Sequence, residues 1–105
     1  MKFDSDRAYD ALIRSGDDWA DKDAAASILE ETKKSVLAKL VNALAGSMAA
    51  RKSLALADPV YTQHLELMVE ARREAIKSKV RYDSAKTLAD MRRPRGSLPT
   101  RYRLQ

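Results

Sequence analysis

Leu54-Ala55-Leu56-Ala57-Asp58-Pro59-Val60-Tyr61 is the stretch whose reading decides the fold. Asp58 is a good N-cap, because its carboxylate can accept from the exposed N–H groups of a first helical turn. Pro59 has no N–H to lose and a φ already near the helical value, which suits the first helical position. Ala57 then closes the helix before it. Two helices joined by a turn of one or two residues must lie antiparallel.

Working outward, Ala26, Leu29, Lys33, Leu37, Leu40, Leu44, Met48, Arg51 and Ala55 recur at three- and four-residue steps, which marks one face of a helix. Gly46 weakens that helix by about 1 kcal/mol but is not expected to break it. From Trp19 to Leu56 the rod is about 57 Å long at 1.5 Å per residue. On the other side of the turn, Tyr61, Leu65, Met68, Val69, Ile76 and Val80 share a face of a helix expected over 59–92. Beyond Val80 the apolar stripe fails, and Arg72, Lys79, Lys86 and Arg93 continue the column that Leu65 begins. A short first helix is expected over 5–14, with Asp4 or Ser5 as N-cap and Gly16 closing it in the left-handed conformation. Asp17 then caps the long helix, aided by Asp18 and Asp21 in its first turn. From Pro94 the chain is expected to be extended. The fold class is therefore all-α: a long antiparallel helical hairpin with a short N-terminal helix. One helical domain spans 1–93 (helices 5–14, 18–56 and 59–92), followed by a basic flexible tail over 94–105.

At 105 residues, with 21 Leu, Ile, Val and Phe, the chain has material for one small core. It contains no cysteine, so disulfides and thiolate chemistry are excluded, consistent with a reducing cytoplasm. The N-terminal Met1-Lys2-Phe3-Asp4-Ser5-Asp6 is too acidic for a signal peptide, and no stretch reaches a membrane span of roughly 20 apolar residues. A cytoplasmic protein is expected.

Charge is unevenly placed. Residues 72–103 carry eleven Arg/Lys against three acids, whereas the first 31 residues carry nine acids against four bases. An antiparallel hairpin turning at Ala57-Asp58 sets Asp21 and Asp23 beside Arg92 and Arg93, and Glu30 and Glu31 beside Lys86 and Ser84. Much of the asymmetry is then answered internally. The same register sets Lys33, Lys34 and Lys39 beside Arg81, Tyr82 and Ile76, where base meets base. The expected nucleic-acid-binding set is this mid-hairpin belt, Lys33, Lys34, Lys39, Arg73, Lys77, Lys79 and Arg81, together with Arg95, Arg101, Tyr102 and Arg103 of the tail. Such cations contact phosphates and release counterions, and Tyr102 can stack on a base.

Other motifs carry less. Arg93-Pro94-Arg95-Gly96 resembles half of an AT-hook, but Ser97 and Leu98 stand where its core needs Arg and Pro. Asp17-Asp18-Trp19-Ala20-Asp21 matches the magnesium–diphosphate pattern of prenyl synthases, yet the chain has no room for the second acidic motif, and helix capping accounts for these residues. His64 is the single histidine and has no companion for metal ligation. With no nucleophile–base set and no phosphate-cradling glycine loop, neither enzymatic activity nor a cofactor is expected.

The segment 54–90, above all Glu70-Ala71-Arg72 and Lys79-Val80-Arg81-Tyr82-Asp83, resembles small helical proteins of bacteriophages and prophages found beside recombination genes. It is more loosely similar to the recombination mediator of T-even phages, a helical single-strand binder that oligomerises. The resemblance implies a DNA accessory of phage recombination, binding single strands with little sequence specificity. The alternative is a protein–protein adaptor or inhibitor that docks on an acidic partner or its nucleic-acid channel. A third class is a structural coiled-coil module. A hairpin buries only one seam, yet Ile28, Val36, Val41, Tyr61, Met68 and Val69 widen the stripe, so a homo-oligomer is expected.

Overall fold

In the computed structural model, which describes residues 5–91, the chain forms three helices in the order α1 (Ser5–Asn42), α2 (Met48–Leu56) and α3 (Pro59–Met91). There is no strand among the described residues. α1 and α3 pack as an antiparallel hairpin, and α2 is a short helix set into the connection, resting mainly on α1. The Arg93-Pro94-Arg95-Gly96 motif and the expected tail over 94–105 lie outside the described residues.

The Asp58-Pro59 signal works as its chemistry dictates. Asp58 Oδ1 accepts from the Val60 amide at 2.7 Å, and Pro59 occupies the first position of α3. Two other expectations are corrected. The short helix over 5–14 does not exist as a separate element, because α1 runs unbroken through Gly16. Asp17, Asp18 and Asp21 are therefore helix-interior residues and not a cap. Gly16 does not terminate anything: among the described glycines only Gly46 has a positive φ. What Gly16 provides is room, since a Cβ there lies 3.2 Å from Cε1 of Tyr82. That ring comes close because it stacks on Trp19, centroids 5.5 Å apart and planes inclined by 28°.

The break falls instead at 43–47. The last turn of α1 tightens, with the Ala43 amide shared between the Lys39 and Leu40 carbonyls and Leu44 donating to Val41. Gly46 then adopts φ 114°, a conformation open to glycine and costly for other residues. Ser47 caps α2, its Oγ accepting from the Ala50 amide at 3.2 Å. Glycine followed by serine is a stop signal followed by a start signal, and it overrides the apolar periodicity that runs across it. Val41 of α1, Ala55 of α2 and Tyr61 of α3 are the buried hydrophobic residues at this end of the molecule.

Because the turn is made in two steps, the helices meet in a different register from that of a single turn at Asp58. Asp23 bonds Arg72 and not Arg92, and Glu30 also meets Arg72 and not Lys86. The face of α3 that packs on α1 also differs. Ala75 and Ser78 of α3 are buried, as is Ala26 of α1, while Val69, Ile76 and Val80 stay more than half exposed. Small residues let two helix backbones approach closely, and the wider stripe is turned away. Of the residues expected to drive association, Val41 and Tyr61 are consumed by the bend, Val36 and Met68 are half-buried, and Ile28 and Val69 are exposed.

Gly46→Ala is expected to destabilise the fold by about 1 to 2 kcal/mol through its positive φ, and Ser47→Ala by about 1 kcal/mol through loss of the cap. Thermal unfolding followed by circular dichroism should show both as lowered midpoints, whereas a continuous helix through 43–47 would make Gly46→Ala stabilising.

Candidate functional site

Two polar clasps fix α3 on α1. In the first, Arg72 donates through Nη1 to Asp23 Oδ1 at 2.6 Å and in a bidentate pair to Glu30, Nε to Oε2 at 2.9 Å and Nη2 to Oε1 at 2.8 Å. Nη2 also reaches Ser27 Oγ at 3.3 Å. Asp23, Ser27 and Glu30 are spaced four and three apart, so they rise on one face of α1 and present three acceptors to one planar guanidinium. In the second, buried Ser78 donates to Asp18 Oδ2 at 2.5 Å, with Lys22 at 3.3 Å and Arg81 at 3.6 Å from the same oxygen. Asp18 and Asp23 are about 140° apart around α1, so the clasps sit on opposite flanks of the seam. His64 lies in the seam too, bonding the Leu29 carbonyl at 2.9 Å through Nε2.

The clasps shift the ionisation of their members. The Arg72 hydrogen bonds hold the Glu30 carboxyl below its ordinary value, opposed in part by desolvation and by Asp23. Ser78, then Lys22, holds Asp18 down in the same way. Arg72 is driven further into its charged range by Glu30 first and Asp23 second.

The expected belt is divided by this register. Arg81 sits on Asp18, fifteen residues from Lys33 along α1, which is about 22 Å of helix. Lys33, Lys34 and Lys39 therefore do not lie beside Arg81, Tyr82 and Ile76. On the α3 side, Lys79 lies over the Trp19 ring at 5.8 Å, Lys77 is 3.6 Å from Glu74, and Arg73 is exposed. These α3 cations share the middle of the hairpin with Asp18 and Asp23. Arg95, Arg101, Tyr102 and Arg103 lie outside the described residues.

Lys33, Lys34 and Lys39 instead join Arg51 and Lys52 of α2 at the bend. From Thr32 through Ala57 there are these five cations and no acid. None of the five is in an ion pair among the described residues. Lys34, Lys39 and Lys52 are exposed, Lys33 and Arg51 are half-buried, and Arg51 Nε is enclosed without a hydrogen-bond partner. Helical geometry points Lys33, Lys34 and Lys39 in different directions, so the charges ring the end of the rod. The acid-free run was readable in the sequence; what concealed it was the larger excess of base near the C-terminus, of which Arg72, Lys77 and Arg81 face acids.

Among the described residues no group of three or more His, Cys, Asp or Glu is placed to hold a metal ion, and no helix is long and apolar enough to cross a membrane. Comparison with family models, with curated proteins and with solved structures finds no match to this chain.

Depressed carboxylates contribute stability above their unfolded values and lose it as pH falls through their folded ones. Stability is therefore expected to decline as pH drops below the ordinary carboxylate range, as Glu30 and Asp18 become protonated. In urea titrations over that range, Arg72→Met should be less stable at neutral pH and show a shallower acid decline. An unchanged acid limb in Arg72→Met would assign the decline to other groups.

Proposed function

We propose that the chain is a non-enzymatic helical accessory that binds single-stranded nucleic acid with little sequence specificity, of the phage-recombination kind its α3 sequence resembles. The observation that carries this is the acid-free run 32–57 at the bend, where Lys33, Lys34, Lys39, Arg51 and Lys52 have no ion-pair partner among the described residues. Unpaired cations keep their full attraction for phosphate, whereas Arg72 and Arg81 are already turned toward carboxylates.

The arrangement favours a single strand over a duplex. Charges that ring a narrow rod offer no flat or grooved face to a stiff double helix, but a flexible backbone can wrap them. Nothing in the cluster reads base edges, so affinity comes from phosphate neutralisation and counterion release. Arg73, Lys77 and Lys79 extend the positive surface along α3, and the arginines at 92–103 add to it at the level of sequence.

Neutralising five phosphates of a single strand corresponds to a slope of about −3.5 in log K against log salt. Fluorescence-anisotropy titrations over a salt series should give that slope for a single-stranded oligonucleotide and weaker binding for the matched duplex. Lys34→Ala/Lys39→Ala/Lys52→Ala should weaken binding and lower the slope by about 2, while Arg81→Ala should change it less. Absence of binding to either form at low salt would overturn the proposal and leave an acidic protein surface as the ligand of the bend.

A further inference from the structure

α3 has two faces, and among the described residues only one is covered. Val69, Ile76 and Val80 fall within about 40° of one another around the helix, on the side away from α1, and are 63%, 56% and 59% exposed. At the edge of the stripe toward α1, Glu30 of α1 with Met68, Val69, Arg72, Arg73, Ile76 and Lys77 lines a groove of about 470 Å³. An exposed stripe of this kind on a helix otherwise rich in charge marks an association surface.

The occupant is indicated by the charges that flank the stripe. Glu66, Glu70, Arg73 and Lys77 are spaced four, three and four apart, so they form one row along the edge of the apolar stripe. Read along the helix, that row is acid, acid, base, base. Glu66, Glu70 and Arg73 have no ion-pair partner among the described residues, and Lys77 has only the exposed contact to Glu74 at 3.6 Å. Such a row is complementary to itself when reversed. A two-fold axis crossing the helix near residues 71–73 sets Glu66 against Lys77 and Glu70 against Arg73 of a second copy, each pair made twice. In the same register Val69 faces position 74 of the other copy, two residues and about 3 Å of helix from Ile76. A parallel two-fold arrangement puts the two rows on opposite flanks, where they do not meet.

We propose that α3 is an isologous docking surface for a second copy of this chain, packing antiparallel through Val69, Ile76 and Val80 with the two acid–base pairs at its flank. The proposal does not rest on nucleic-acid binding: it uses the outward side of α3, shares only Arg73 and Lys77 with the positive surface described above, and is tested without any ligand.

Sedimentation velocity at tens of micromolar should give about twice the 11.8 kDa chain mass. Glu66→Lys/Glu70→Lys makes the row all basic and Arg73→Glu/Lys77→Glu makes it all acidic. Each variant alone should be monomeric with unchanged helical circular dichroism, and an equimolar mixture should restore the dimer. Orientation is read by cysteine, because the natural chain has none. Under oxidation Arg73→Cys, near the axis, should crosslink between chains. Ser84→Cys, on the same side of α3, should not, since antiparallel packing leaves its two copies more than about 30 Å apart. A monomeric natural chain, or charge-reversed variants that dimerise alone as the natural chain does, would overturn the proposal. Equal crosslinking at positions 73 and 84 would overturn the antiparallel pairing.

Discussion

Arg72 spans from α3 to Asp23, Ser27 and Glu30 of α1, and the placement of the two long helices depends on that span. A bidentate guanidinium–carboxylate pair is directional, so a slip of one helical turn breaks several bonds at once. Asp18, held by buried Ser78 on the opposite flank, prevents rotation about the first clasp. Between them the seam is built of Ala26, Ala75 and Ser78, which contribute little apolar area but permit close approach. Polar geometry sets the register, and small side chains accept it.

The bend follows the same logic. Val41, Ala55 and Tyr61 form its buried core, and the backbone reaches that packing only because Gly46 takes a positive φ and Ser47 restarts the helix. Dividing the connection into a stop at 43–47 and a cap at Asp58 shortens the effective length of α1. It thereby gathers the cations of α1's last turns with those of α2 and removes them from the middle of the hairpin. The location of the unpaired positive charge is thus a consequence of a glycine, not of where lysine is most abundant.

A narrow seam leaves much apolar surface outside. Val69, Ile76 and Val80 on α3, and Tyr9, Ile13 and Ile28 on α1, are all about half exposed or more. For a chain of this size such a monomer buries little. The outward stripe of α3 and the cationic bend are formed by different residues, Val69 to Val80 and Lys33 to Lys52.

By itself the sequence determined what local chemistry determines. Helical content, the cap at Asp58-Pro59 and the presence of two long helices follow from propensity, periodicity and side chains that bond their own neighbours. The stop at Gly46-Ser47 belongs to the same class and was legible, though the apolar stripe across it pointed the other way. Individual lysines of the candidate site were legible too, but not their grouping, because which cations stand free depends on which carboxylates face them. Tertiary structure alone decided the rotation of α3. That helix carries both a large apolar stripe, Val69, Ile76 and Val80, and a small one, Ala71, Ala75 and Ser78, and periodicity cannot rank them. The choice is made by pairs more than forty residues apart, Asp23 with Arg72 and Asp18 with Ser78, whose energy exists only once the helices are already side by side.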